Sequence, residues 1–247
     1  MIVRIQVTDS IEDKLRGSRS AIIVPIAVSL WALIGPILVF IIPMIVFHWS
    51  NDFLSAHSYI FGTIAQALMD LPAVILFIRM QYKPGNEIGV QSTPRERVIS
   101  LIVGIVLAML LAALRILFMG HVMGGRFMGQ VPAFTQSLDL GSPWNIVAAS
   151  MALLAYGPGE AIFVVYLIHA FDKVVGNSQS LISWGVIITS IVWALPHIFN
   201  IFFYGLNALP NVLIMFFVGI IMGILLKKTR SSLGPMAFWT LVNGTSL

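Results

Sequence analysis

The stretch Gly157-Pro158-Gly159-Glu160-Ala161-Ile162-Phe163-Val164-Val165-Tyr166-Leu167 sets one carboxylate inside an otherwise apolar run. A charge near the centre of a bilayer costs on the order of 3 kcal/mol by insertion scales, so such a group is kept when it is paired, protonated or in use. The same apolar character extends over most of the 247 residues. Hydrophobic residues make up 58% and charged residues only 10%, where a soluble domain carries about 25% charged residues. The apolar runs are continuous, whereas barrel strands would alternate apolar and polar over roughly 10 residues. The fold class implied is all-α, a polytopic membrane helix bundle of about seven spans. The absence of cysteine excludes a disulfide framework and a thiolate metal site. The net charge of +4 needs no nucleic-acid partner, because the basic residues cluster in short loops as membrane topology requires. The partner that composition implies is the lipid bilayer.

Apolar runs cover roughly 21–48, 53–79, 98–119, 145–170, 181–203, 211–226 and 233–242. The last is short for a bilayer crossing. Pro25, Pro36 and Pro43 predict kinks in the first run. The polar residues 1–20 read as a solvated arm, and the first apolar run is too long for a signal-peptide core. Loops are expected at 80–97, 120–144 and 171–180, the last holding Asp172 and Lys173, with a turn at 205–210. With the N-terminus inside, twelve of the fourteen basic residues fall on the inner side, leaving only Arg115 and Arg126. The division implied is a cytoplasmic arm at 1–20, accessory helices at 21–144 and a core at 145–247.

Polar residues within the runs are Asp70, Arg115, Glu160, His169, His197, Asn200 and Asn243. Asp70, just before Leu71-Pro72, is expected to pair with Arg115 or to cap a helix restarted at the proline. Arg115 is expected to snorkel, and His169 to sit at the inner interface. His197 alone would read as a satisfied contact between helices. Glu160 follows a weak point in its helix, where amides freed near Pro158 could satisfy it. Yet Glu160, His197 and Asn243 each follow a local break, on three successive runs. That pattern fits one shared polar cavity.

At these residues the chain resembles the CPBP family (CAAX-protease and bacteriocin-processing, also called Abi) of intramembrane metalloproteases. The family's first motif is roughly E-E-x-x-x-R. The matching stretch here is Gly159-Glu160-Ala161-Ile162-Phe163-Val164, followed in register by Val165-Tyr166-Leu167. The second motif, F-x-x-x-H, is matched by Trp193-Ala194-Leu195-Pro196-His197. The third region is matched by Leu233-Gly234-Pro235 and Trp239-Thr240-Leu241-Val242-Asn243. The glycine-rich run around Gly219 and Gly223 resembles the helix that the family places before its last motif. The resemblance covers about 145–247, and the first three runs read as generic.

The resemblance implies a water-activating glutamate where Gly159 stands, an arginine where Val164 stands, and a second histidine where Trp239 stands. The site residues it leaves are Glu160, His197 and Asn243, with His197 as the remaining metal ligand. Catalytic zinc takes three protein ligands and an open position. Asn200 shares a face with His197 and adds at most a weak carbonyl ligand. His169 is nine residues after Glu160, about 13 Å along a helix, and too far to substitute. The expectation is a family member with proteolysis lost and no cofactor, holding a hydrophobic or prenylated peptide or another membrane protein in a prokaryotic plasma membrane. A rearranged zinc peptidase and a small transporter are the alternatives. Without the motif arginine, Glu160 is expected to be protonated or bonded to helix-end amides.

Overall fold

The computed structural model describes residues 21–35, 38, 42, 45–46, 48, 50, 58–81, 92–119, 154–175, 180–199, 206 and 209–244, and these form helices and no strand. The arm at 1–20, the loop at 120–144, Pro36, Pro43, Arg126 and Asn200 lie outside the described residues, as does the side chain of Arg115. In chain order, α1 is Ala21–Gly35, α2 is Ser58–Gln81 and α3 is Pro94–Met119. A π-helical turn, Ala155–Gly159, leads into α4, Glu160–Val175. Next comes α5, Trp184–Ala194, which ends in a 3₁₀ turn, Leu195–Phe199. The last two are α6, Leu209–Thr229, and α7, Leu233–Gly244.

Among the described residues, three stretches are long and apolar enough to cross a membrane: Thr63–Met80, Pro94–Leu114 and Leu209–Thr229. Large apolar side chains face outward on them, including Ile102, Val106 and Leu110 on α3 and Leu213 and Phe217 on α6. Outward apolar faces of this extent suit lipid rather than water. The helix at the centre is α4. It packs against α2, α5, α6 and α7, and Phe163, Val164, Val165 and Leu167 are fully buried. A helix that is apolar all round belongs in such a position.

Small residues set how closely the outer helices approach. Ser100, Gly104, Ala108 and Ala112 recur every fourth residue on α3 and are all buried. This stripe receives α7: a methyl group on Gly104 would strike the Gly234 carbonyl. Packing with so little side chain between backbones is a common way for membrane helices to associate. Ser100 adds polar ties, accepting from the Gly234 amide at 2.8 Å and sharing a hydrogen bond with the Thr229 hydroxyl at 2.7 Å. On α6, Gly219 and Gly223 lie against Ser190 and Val186 of α5 in the same manner.

Three sequence expectations are corrected. The loop expected through residue 97 ends earlier, because Thr93 and Glu96 cap α3 reciprocally. The Glu96 amide donates to Thr93 Oγ1 at 3.2 Å, and the Thr93 amide donates to Glu96 Oε2 at 2.7 Å. The loop expected from residue 171 is helix up to Val175. There Asp172 is buried, accepting from the Gly185 amide at 3.0 Å and from Lys227 Nζ. A carboxylate at the start of α5, paired with a cation at the end of α6, is stabilised by both helix termini and fastens them to α4. Finally, α2 runs through Pro72 without restarting, so Asp70 caps nothing.

Candidate functional site

The site is built where the π turn meets α7 and α2. Pro158 carries no amide hydrogen and its ring crowds the preceding turn, so the chain widens to a π turn before resuming as α4. That widening turns the Tyr156 carbonyl and the Glu160 carboxylate toward α7. Glu160 is 5% exposed. Its Oε2 accepts from the indole Nε1 of Trp239 and from Asn243 Nδ2 at 2.9 Å. Asn243 Nδ2 also donates to the Tyr156 carbonyl at 2.9 Å. Glu160 is therefore held by side chains of α7, not by the helix-end amides expected from the sequence.

The other wall comes from α2. Asp70 is 2% exposed, and both its oxygens accept from the Gln66 amide nitrogen, Oδ1 at 3.2 Å and Oδ2 at 3.1 Å. Its carboxyl group shares this buried space with Glu160. The hydroxyl of Thr63, also on α2, is hydrogen-bonded to Tyr156. Between the two carboxylates lies Gly159. A methyl group there would sit 2.8 Å from the Leu154 carbonyl oxygen and 3.1 Å from Asp70 Oδ2. Glycine at 159 leaves the space that Asp70 takes. Asp70, which the sequence suggested as a helix cap or a partner of Arg115, stands in this junction; the signal was a second carboxylate in an apolar run two helices earlier.

His197 enters from the 3₁₀ turn after α5. Its ring lies edge-on to Trp193, with centroids 6.3 Å apart, and Trp193 in turn meets Trp239 edge-on at 4.8 Å. The two indoles thus link His197 to the Glu160 junction. The His197 ring turns back toward the carbonyls of Trp193 and Ala194, and its Nδ1 is left without a hydrogen bond. The structure brings Glu160, Trp239 and Asn243 into direct contact and connects His197 through Trp193. His169 stands two turns further along α4, beyond this group, and Val164 is wholly buried in the apolar core.

The donor chemistry decides what these groups can hold. An indole nitrogen donates only and cannot ligate a metal. Among the described residues, no three His, Asp or Glu side chains converge on one point that could hold an ion. The zinc that the family resemblance implies does not fit this set, because a catalytic zinc needs three ligands and a water position.

Comparison with known proteins agrees with the sequence resemblance. Residues 141–245 match the family model described as Type II CAAX prenyl endopeptidase Rce1-like. No curated protein and no solved structure matches the chain.

Proposed function

We propose that this Rce1-like membrane protein holds an apolar peptide, or an apolar segment of another membrane protein, without hydrolysing it. One observation carries the reading. Trp239 stands where the motif has a histidine, and its indole, with the Asn243 amide, is committed to Glu160 Oε2. Both donors bind Oε2, which is thereby closed to water, and the residue that the motif uses to activate water is Gly159 here. The departures at 159, 164 and 239 therefore remove ligands and base together. What stays is the junction of α4, α5 and α7, apolar around a fixed polar centre, which is how binding sites for largely apolar ligands are built.

Cleavage and metal content test this directly. Purified protein in detergent is expected to hold no stoichiometric zinc and to leave a prenylated peptide intact. Metal-dependent cleavage that disappears in His197→Ala would overturn the reading. With seven spans, twelve of the fourteen basic residues fall on the side of the N-terminus, which supports a cytoplasmic N-terminus, and the family resemblance suggests a prokaryotic plasma membrane. Because the chain has no cysteine, single cysteines placed at 14 and 228 can be labelled cleanly. Labelling of either from outside intact cells would refute that orientation.

A further inference from the structure

Helix α5 carries a row of polar atoms that the protein does not use. Thr189 Oγ1, Trp193 Nε1 and His197 Nδ1 are each buried and each lack a hydrogen-bond partner. Thr189 and Trp193, four residues apart, lie on one side of α5, and His197 follows in the 3₁₀ turn with its ring edge-on to Trp193. Thr189 is 0% and Trp193 2% exposed. Buried polar groups are nearly always paired, and one left unpaired bears a desolvation cost that pairing would recover. Three in a row on one helix are not scattered tolerances. The three atoms each expose less than 1 Å², which excludes water from reaching them as they stand. Through Trp239, the row leads to Glu160.

We propose that Thr189, Trp193 and His197 form a track that pairs with the main chain of an extended peptide. The inference rests on the peptide-holding role and names the ligand's binding mode. Spacing supports it. Thr189 and Trp193 are about 6 Å apart along an α-helix. From Trp193 to His197, mostly through a 3₁₀ turn, the rise is about 7 Å. Alternate residues of an extended strand, which present their N–H and C=O groups on one edge, are about 6.7 Å apart. The chemistry also matches. Trp193 can only donate and so requires an acceptor such as a peptide carbonyl, while Thr189 and His197 can take either partner. A main chain supplies both, whatever its side chains.

Entry falls at the C-terminal end of α5. Its N-terminal half is fastened by Asp172 to the Gly185 amide, and by the close seats of Gly219 on Ser190 and Gly223 on Val186. The Leu195–Phe199 turn packs against α6 but, among the described residues, carries no such glycine seat or carboxylate tie. Parting of this turn from its neighbours exposes His197 first, then Trp193, then Thr189.

The test uses the full chain in detergent micelles. The probe is a fluorescein-labelled seven-residue peptide of alternating leucine and alanine, read by anisotropy. Thr189→Val and Trp193→Phe remove one polar atom each with little change of shape. Each is expected to weaken binding about tenfold, while the thermal midpoint of the empty protein stays level or rises, because an unpaired group has been removed. A probe N-methylated at every second residue is expected to lose affinity for the unaltered protein. Unchanged affinity in both variants, or equal binding of the methylated probe, overturns the track alone. A fall in midpoint for Thr189→Val also overturns it, by showing that the hydroxyl is already paired. Absence of binding by the unaltered protein overturns the peptide-holding role, and the track with it.

Discussion

Restoring the motif glutamate at 159 should harm this protein, and the harm should depend on Asp70. A methyl group at 159 would lie 2.8 Å from the Leu154 carbonyl oxygen and 3.1 Å from Asp70 Oδ2. Overpacking of this kind costs about 1–3 kcal/mol, so Gly159→Ala is expected to lose about 2 kcal/mol. Gly159→Glu adds a third carboxyl group to a buried space that already holds two, raising the loss to about 5 kcal/mol with an unpaired buried charge at about 3. Asp70→Ala by itself strands the Gln66 amide and is expected to cost about 2 kcal/mol. In the combined variant, the new glutamate occupies what Asp70 vacates and can take over the Gln66 amide. Only the crowding against Leu154 persists. The combined variant should therefore cost about 2 kcal/mol where the single changes sum to about 7, a coupling of about 5 kcal/mol, above the usual range for residues in contact because the charge, the clash with Asp70 and the stranded Gln66 amide are relieved together. Denaturant unfolding of the four proteins in one detergent measures the cycle. Costs that add to within about 0.5 kcal/mol would show that the side chain at 159 and Asp70 do not share space, and would refute the reasoning.

Other perturbations follow from the same geometry. Trp239→Phe removes the indole donor from Glu160 and is expected to cost about 2 kcal/mol in denaturant unfolding, as for a hydrogen bond to a carboxylate. Asp172→Ala removes the ion pair with Lys227 and uncaps Gly185; a loss of about 3 kcal/mol is expected, the low end for a broken buried pair because the Lys227 side chain is 16% exposed. Gly104→Ala sets a methyl group against the Gly234 carbonyl and should cost about 2 kcal/mol, with a lower thermal midpoint. Arg230, at φ 52°, holds a left-handed conformation just after α6. Arg230→Gly is expected to raise stability by up to about 1 kcal/mol, since glycine bears no such strain but loses more chain entropy.

Much of the fold was legible because the bilayer imposes it. Continuous apolar runs fixed helices, and α2, α3 and α6 fall on three of them. Ends were less legible wherever a polar group is buried in a tertiary contact. Asp172 and Lys173 looked like loop residues because adjacent charges usually face water. Only the fold reveals that one of them meets Lys227, fifty-five residues away. The start of α3 was different: Thr93-Pro94-Arg95-Glu96 spells a capping box with proline at the first helical position, and the signal was present in the sequence. So was the Ser100, Gly104, Ala108, Ala112 stripe, which marks α3 as a partner for another helix rather than a generic span. For the site, the motif register brought Glu160 and Asn243 to one place. It said nothing of Asp70, which no motif contains.

The departures from the motif bear on one another when viewed in space. A glutamate at 159 and the carboxylate of Asp70 would compete for one volume, so Gly159 and Asp70 belong together. Glu160 without a motif arginine needs other donors, and Trp239 and Asn243 supply them on a single oxygen. A histidine at 239 would be shorter than the indole and would forgo its edge contact with Trp193. Val164 completes the set: at that fully buried position an arginine would need an anion beside it, and Glu160 Oε2 already holds two donors. At 159, 164 and 239 the residues present are packed or hydrogen-bonded, and among the described residues the buried polar atoms without partners lie on α5 and its terminal turn instead. That division sets a polar centre held still beside a helix that still has hydrogen bonds to offer.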